Sequence, residues 1–249
     1  MQRFTFNLHS PYYCTIINQI HKIMNVKNKK TYYQIILDKS GSMNDCVAST
    51  INGFNEQMQL IKSMKEKYPD QEFFVSLTTF NQDISFDIDI SNPDHVKDLV
   101  SSVAKVGWLK SNDNIVYNPS GMTALYDAIG NSIKRIRKTA ENEIKNDEAT
   151  VVVVIMTDGH ENSSTEYSYS QIQSMIKELE SSENWTFSYL SSTIDAVDYA
   201  VKMNIRSENA IMFSKSNLKG TFNDMSHSLS SYFDKKQKNI KEKQFFKRR

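Results

Sequence analysis

The feature that most constrains the fold is an unbroken apolar run from Val151 to Met156. A strand with no polar face is expected at the centre of a parallel sheet that helices cover on both sides. Other largely apolar runs with strand character recur along the chain, at residues 32–37, 73–80, 185–190 and 210–213. The chain therefore contains enough strands for one parallel sheet built around residues 151–156.

Segments with apolar residues at helical spacing separate these runs. We expect helices at about residues 46–68, 94–104, 124–140, 170–179, 194–203 and 217–235. Residues 84–90 alternate apolar and polar after a turn at 81–83, which predicts an antiparallel hairpin at one edge. The alternation of strands and helices predicts an α/β fold. It is a doubly wound, Rossmann-like, mostly parallel six-stranded sheet with one antiparallel edge strand and helices on both faces.

One carboxylate and two hydroxyls, those of Asp38, Ser40 and Ser42, follow directly after the apolar residues 35–37. A helical pattern begins near Cys46, so these side chains lie on a turn between a strand end and a helix start. In open α/β sheets this crevice is where ligands bind. Carboxylate and hydroxyl oxygens without Cys or His suit Mg²⁺, Mn²⁺ or Ca²⁺ better than zinc. By itself, the same turn would also suit a helix N-cap.

Two later stretches have a similar context: residues 121–123 (Gly-Met-Thr) open a helix, and residues 157–159 (Thr-Asp-Gly) end the most apolar strand. With them, the chain resembles the von Willebrand factor type A domain over about residues 32–233. More narrowly, it resembles stand-alone type A proteins of bacteria and their phages, in which stretches like 121–130 and 157–164 recur. The resemblance implies a complete metal-ion-dependent adhesion site formed by Asp38, Ser40, Ser42, Thr123 and Asp158.

The resemblance also implies a role for each member of this site. Ser40, Ser42 and, in an open state, Thr123 would contact the ion through their hydroxyls, while Asp38 and Asp158 would act largely through water. Such a set leaves the ion under-neutralised, so an Asp or Glu of a partner protein completes its coordination. We therefore expect a protein-binding module that uses Mg²⁺ (or Mn²⁺ or Ca²⁺), and neither catalytic residues nor a small-molecule substrate.

Two other functions are compatible with the sequence. A carboxylate such as Asp38 is also where Mg²⁺-dependent aspartyl phosphatases keep their nucleophile, but they need Asp-x-Asp and this chain has Ser40 instead. His160 and Glu161 beside Asp158 could form an acid–base pair, although a solvated loop rim is the simpler interpretation. The second alternative is an adaptor that binds nucleic acid or an anionic membrane through basic arms.

Charge is distributed unevenly along the chain, although the net formal charge is only +1. Residues 1–30 carry five basic and no acidic side chains, and residues 235–249 carry eight basic and one acidic. The body between them has 17 basic and 28 acidic side chains, a net of −11. We divide the chain into an N-terminal extension (1–30), a type A domain (31–234) and a basic tail (235–249). Only the tail has the pattern for nucleic acid or anionic lipid, and a solvated terminus is its plainer interpretation.

The sequence also indicates a compartment. No apolar run approaches the ~18–20 residues of a membrane span, and the first residues lack the order of a signal peptide. Cys14 and Cys46 do not make a disulfide framework. We therefore expect a cytoplasmic protein. A short helix at about 15–24 would pack on the body, unless Met24 is the true start.

Three further features surround the predicted site. Asp127 is expected to stabilise a helix N-terminus or to make a structural hydrogen bond rather than to bind the ion. Cys46 is expected to be a small buried thiol. The stretch 191–195 (Ser-Ser-Thr-Ile-Asp) departs from the Gly-Ala-Asn-Gln-Asp-like turn of the relatives, so specificity is expected to differ there.

Overall fold

The computed structural model describes residues 28–102, 114–238, 240–241 and 243–246. The strands of these residues are β1 (Lys30–Asp38), β2 (Glu72–Phe80), β3 (Ile84–Ser91), β4 (Leu99–Ser101), β5 (Ile115–Tyr117), β6 (Ala149–Thr157), β7 (Trp185–Ser191) and β8 (Ala210–Met212). The α-helices of these residues are α1 (Val47–Lys67), α2 (Leu125–Lys145), α3 (Tyr169–Ser181), α4 (Ala196–Lys202) and α5 (Leu218–Gln237).

Six of the strands form one sheet in the order β3-β2-β1-β6-β7-β8. All neighbours in it run parallel except β2 and β3, which form an antiparallel edge. Strands β4 and β5 form a separate parallel pair. The predicted α/β fold with a mostly parallel six-stranded sheet and one antiparallel edge strand is confirmed.

Strand β6 shows why its sequence is apolar throughout. Alternate residues enter two different hydrophobic layers, because side chains in a strand alternate between its faces. One layer contains Val152, Val154 and Met156 with residues of α1 and α5. The other contains Val151, Val153 and Ile155 with residues of α2, α3 and α4. Helices therefore cover the sheet on both sides, as the apolar run predicts.

The predicted helix at 94–104 is wrong. A short 3₁₀ turn, Pro93–His95, is followed by strand β4. The amide of Asn55 fastens this strand to α1, because its Oδ1 accepts from Leu99 N at 2.9 Å and its Nδ2 donates to Leu99 O at 3.0 Å. These backbone groups are thus satisfied in an extended conformation. The predicted helix at 15–24 and the possible start at Met24 lie outside the described residues.

The described part of the C-terminal tail packs against the body, so it is not a solvated terminus. Phe245 and Phe246 are buried in the layer that contains α1 and α5. Asn209 holds this segment, because its Oδ1 accepts from Phe245 N at 2.6 Å and its Nδ2 donates to Lys243 O at 2.8 Å. Helix α5 also runs past residue 234, the predicted end of the domain.

Several basic side chains of the tail are engaged with the body. Lys236 is buried and donates to Thr31 Oγ1 at 2.6 Å and Thr150 Oγ1 at 2.7 Å, and burial lowers its pKa well below the usual value. Lys241 pairs with Asp147 at 2.6 Å, and Lys243 pairs with Glu183 at 2.9 Å. These contacts fasten the tail to the body. Within the described ranges, no helix has both the length and the apolar character needed to cross a bilayer.

Candidate metal centre

The sheet brings two of the predicted site residues together at its carboxyl edge. Strands β1 and β6 are parallel neighbours, with Leu37 paired to Met156. Asp38 ends β1 and Asp158 directly follows β6, so both carboxylates emerge at the same edge. Ser40 and Ser42 lie in the turn and 3₁₀ helix (Gly41–Cys46) that follow β1. Thr123 comes two residues before α2.

Asp38 is fully buried at this edge. Its Oδ1 accepts a hydrogen bond from Ser40 N at 2.6 Å, and its Oδ2 accepts one from Thr157 Oγ1 at 2.6 Å. Burial raises the pKa of Asp38 to about 6, although both hydrogen bonds act in the opposite direction. Sequence reasoning missed Thr157, whose only signal was its place before Asp158 in the motif. When it is ionised, Asp38 adds a buried negative charge to the site.

Ser42 connects the segment after β1 to Asp158 through a hydrogen bond. Its Oγ donates to Asp158 Oδ1 at 2.5 Å and lies 3.1 Å from Ser40 Oγ. Ser42 is exposed whereas Ser40 and Asp158 are buried, so the group opens to solvent on the Ser42 side. The three residues therefore form one contiguous set of oxygen atoms.

Thr123 is buried and not exposed as a helix start would suggest. Its backbone is held by Asn162, since Thr123 N donates to Asn162 Oδ1 at 2.8 Å and Asn162 N donates to Thr123 O at 3.0 Å. A methyl group added at Gly159 would lie 3.3 Å from Thr123 Oγ1 and 3.6 Å from Ser42 Oγ. The hydroxyls of Thr123 and Ser42 therefore face the same small space beside Gly159.

Glycine is required where the loop before α2 meets the turn after β1. Gly121 has φ +78°, a left-handed conformation that favours glycine, and its N and O lie against Gly41. Gly41 N donates to Gly121 O at 3.1 Å. Gln82 Oε1 accepts from Met122 N at 3.1 Å and occupies the position of the missing side chain of Gly121. The Thr123 segment is thus fixed against the turn that contains Ser40.

Two carboxylates order the loop after Asp158. Asp127 accepts hydrogen bonds from the backbone N–H groups of Thr165, Glu166 and Tyr167 at 2.7–2.9 Å. Glu161 accepts from backbone N–H groups of three residues, Tyr126, Ser163 and Ser164. The predicted structural role of Asp127 is confirmed. Glu161 is engaged in the same way, and it does not pair with His160 as an acid–base couple.

The sequence predictions also concern three other features near the site: Cys46, His160 and the stretch 191–195. Cys46 is buried, as predicted, and burial raises the pKa of its thiol. The side chain of His160 is exposed and lies 3.7 Å from Asp195. In the divergent stretch 191–195, Ser192 Oγ donates to Asp158 O at 3.4 Å. This stretch therefore borders the candidate site.

Sequence reasoning missed Lys215, which lies in the 3₁₀ helix Lys215–Asn217 after β8. Its Nζ is 2.5 Å from Asp158 Oδ2 and donates to Ser42 O at 2.7 Å. Burial acts to lower the pKa of Lys215, but the contact with Asp158 outweighs it and the pKa lies above the usual value. No local motif marks this residue, because the contact depends on the position of β8 beside β7.

The donor set is suitable for a hard divalent cation. It combines two carboxylates with three hydroxyls, the oxygen ligands that Mg²⁺, Mn²⁺ and Ca²⁺ prefer. Asp158 Oδ2 is buried and faces the ammonium group of Lys215 as an ion pair, without a hydrogen bond in good geometry. The described part of the chain places no group of three His, Cys, Asp or Glu side chains to hold a metal. An ion at this edge would therefore take hydroxyl oxygens as ligands too.

The fold and the site together define the class: a doubly wound α/β domain with a candidate cation site at the carboxyl edge of its sheet. The family model of the von Willebrand factor type A domain matches residues 34–236. The chain belongs to this family. No curated protein matches the chain at a significant level.

Several solved structures are similar to the chain at low sequence identity. Pilus adhesin SpaC from Lactobacillus rhamnosus GG, in an open conformation, has a TM-score of 0.56 and 10% identity, covering 83% of this chain and 31% of that one. The von Willebrand factor type A protein from Catenulispora acidiphila has a TM-score of 0.50 and 14% identity, covering 81% and 42%. Proximal thread matrix protein 1 from the mussel byssus has a TM-score of 0.49 and 18% identity, covering 80% and 46%. The chain spans less than half of each.

Proposed function

We propose that this chain is a metal-dependent protein-binding module. In this proposal Asp38, Ser40, Ser42, Thr123 and Asp158 hold one Mg²⁺, Mn²⁺ or Ca²⁺ ion, and an Asp or Glu of a partner protein completes its coordination. The ion would supply a fixed positive charge in a partly desolvated crevice, where its attraction for a carboxylate is stronger than in water.

The observation that carries the proposal is the convergence of hydroxyls and carboxylates from three separate segments on one small space. Ser42 links Asp158 to Ser40 at hydrogen-bond distance, and Gly159 leaves room between Ser42 and Thr123. A buried carboxylate is costly unless hydrogen bonds and an opposite charge compensate it. In the structure, Ser42 Oγ and the ammonium group of Lys215 provide this compensation for Asp158, and a divalent cation at this position would replace that of Lys215.

Exposed apolar side chains on the same edge support a protein partner. Large apolar side chains that the described residues expose are Phe86, Met122, Ile194, Val201, Met212 and Ile240. Three of these lie next to the site. Met122 precedes Thr123, Ile194 lies in the stretch that contacts Asp158, and Met212 ends β8 just before Lys215. Exposed apolar groups around a charged centre are typical of protein interfaces.

The geometry gives little support to the two alternatives. A phosphatase nucleophile must be accessible, whereas Asp38 is fully buried and each of its oxygens accepts a hydrogen bond. An adaptor would need free cations in the tail, whereas Lys236, Lys241 and Lys243 contact the body. We therefore propose binding rather than catalysis.

The proposal is tested by capturing partners on immobilised wild-type protein in Mg²⁺, in EDTA, and after Mg²⁺ is restored. We expect a partner that is retained in Mg²⁺, released by EDTA and lost with Thr123→Ala. Thr139→Ala is the matched control, because Thr139 is exposed on α2. A partner that binds equally in EDTA and in Mg²⁺ would show that another face binds it.

A further inference from the structure

We propose that Lys215 lowers the affinity of this site for a divalent ion, because its ammonium group competes with the ion for the Asp158 carboxylate. The inference rests on the proposed metal site, and it concerns a residue outside the five predicted site residues. Its basis is the position of Lys215, which places one cation of the protein itself against a carboxylate of the site.

The contacts of Lys215 show that it is built into the site. Nζ lies 2.5 Å from Asp158 Oδ2 and 2.7 Å from the carbonyl oxygen of Ser42. The side chain of Asp158 is fully buried and that of Lys215 is 30% exposed. A partly buried pair of this kind is screened less by salt than a surface pair. The ammonium group therefore contributes a strong local charge.

The contact of Lys215 with Asp158 changes the net formal charge of the site. Asp38 and Asp158 contribute two negative charges and Lys215 one positive charge, so the site without an ion has a net charge of −1. A divalent ion would raise that charge to +1, whereas without Lys215 it would raise it only to zero. Two cations close to one carboxylate repel each other, which disfavours the second. One partner carboxylate would cancel the residual positive charge.

The alternative is that Lys215 is a positioning residue, which orients Asp158 and Ser42 and thereby helps the ion to bind. The two roles predict opposite effects when the ammonium group is removed. A competing cation makes Lys215→Met bind the ion more tightly, whereas a positioning residue makes it bind less tightly. Lys215→Arg keeps the positive charge and therefore keeps the competition.

The experiment is a titration of the purified chain with Mn²⁺ alone, followed by the electron paramagnetic resonance signal of free Mn²⁺. We expect Lys215→Met to bind Mn²⁺ more tightly than wild type, by about tenfold or more. Lys215→Arg should stay within about threefold of wild type. Lys219→Met is the matched control on the first turn of α5, and we expect an effect below about twofold because Lys219 is exposed.

A second measurement keeps the proposal testable if Lys215→Met fails to fold. Lysines of the wild-type protein are labelled by ¹³C reductive methylation, which preserves their charge, and the Lys215 signal is assigned by its loss in Lys215→Arg. We expect Mg²⁺ to shift this signal, because the ion displaces the ammonium group from Asp158. An unchanged signal at saturating Mg²⁺ would overturn the proposal.

Equal or weaker Mn²⁺ binding by Lys215→Met would also overturn it, as would a lack of binding by wild type and all variants. The outcome is separable from that of the proposed function, since no partner is present in the titration. Tighter Mn²⁺ binding by Lys215→Met, with partner capture insensitive to EDTA, would support the role of Lys215 and contradict the proposed function.

Discussion

At the scale of single residues, the buried carboxylate of Asp38 affects the stability of the folded protein. Its carboxylate is buried close to a second carboxylate, Asp158, and burial raises its pKa to about 6. The folded protein therefore binds an extra proton between the ordinary pKa of 3.8 and about 6. The stability that this proton contributes is lost as the pH rises through that window, so ionised Asp38 destabilises the ion-free protein at neutral pH.

The raised pKa of Asp38 predicts the effect of Asp38→Asn on stability in EDTA. Asn keeps the shape of Asp38 without its charge, so the variant should be more stable than wild type at pH 7 by on the order of 1–3 kcal/mol. Its advantage should shrink at pH 4, where Asp38 of wild type is largely protonated. Urea unfolding at both pH values measures the difference.

Asp45→Asn is the control for this experiment, since Asp45 is an exposed carboxylate in the adjacent 3₁₀ helix. Its stability relative to wild type should change little between pH 4 and pH 7. If Asp38→Asn were less stable than wild type at pH 7 in EDTA, Asp38 would be stabilising as an anion and the account of its burial would be wrong.

At the scale of elements, the loop between β6 and α3 depends on Asp127. Its carboxylate accepts three backbone N–H groups, those of residues 165–167, and is itself buried at the start of α2. Asp127→Ala leaves these donors without their acceptor and should lower the free energy of unfolding by about 2–3 kcal/mol. Amide hydrogen exchange should increase at residues 165–167 before it increases in β6.

The control for Asp127→Ala is Asp198→Ala, which removes an exposed carboxylate from the first turn of α4. It tests whether the stability lost in Asp127→Ala comes only from the interaction of the carboxylate with the helix dipole. That interaction contributes about 0.3–1 kcal/mol at an exposed position. Equal losses of stability in the two variants would contradict a specific role for Asp127 in the loop.

Elements were predictable from the sequence where local periodicity reflects burial. The apolar run in β6 and the helical stripe of α1 identify both elements, and a parallel sheet then places Asp38 and Asp158 at one edge. Strand β4 was not predictable, because the amide of Asn55 satisfies its backbone from another element. Lys215 was missed for the same reason: its contact with Asp158 depends on strand order and has no local pattern.

At the scale of the whole molecule, the C-terminal segment completes the hydrophobic layer under α1 and α5. Phe245 is fully buried and contacts the rings of Tyr232 and Phe246. Phe245→Ala should therefore destabilise the protein by about 3–5 kcal/mol. Phe86→Ala, on an exposed ring of β3, should have a much smaller effect.

Chemical unfolding of the two Phe variants measures this difference directly. Similar, small effects of Phe245→Ala and Phe86→Ala would mean that the tail does not contribute to the core. The basic composition of the tail suggested a free arm, but its phenylalanines were the stronger signal, because burying two aromatic side chains stabilises a docked segment.

The most direct test of the central claim is a calorimetric titration of Mg²⁺ into the purified chain after treatment with EDTA. We predict one ion per chain for wild type and for Thr139→Ala, and affinity lower by roughly 10-fold or more for Thr123→Ala. The thermal unfolding of ion-free Thr123→Ala should match that of wild type, since the backbone of Thr123 supplies its bonds to Asn162. Absence of Mg²⁺ binding, or equal affinity in Thr123→Ala, would contradict a metal centre at this edge of the sheet.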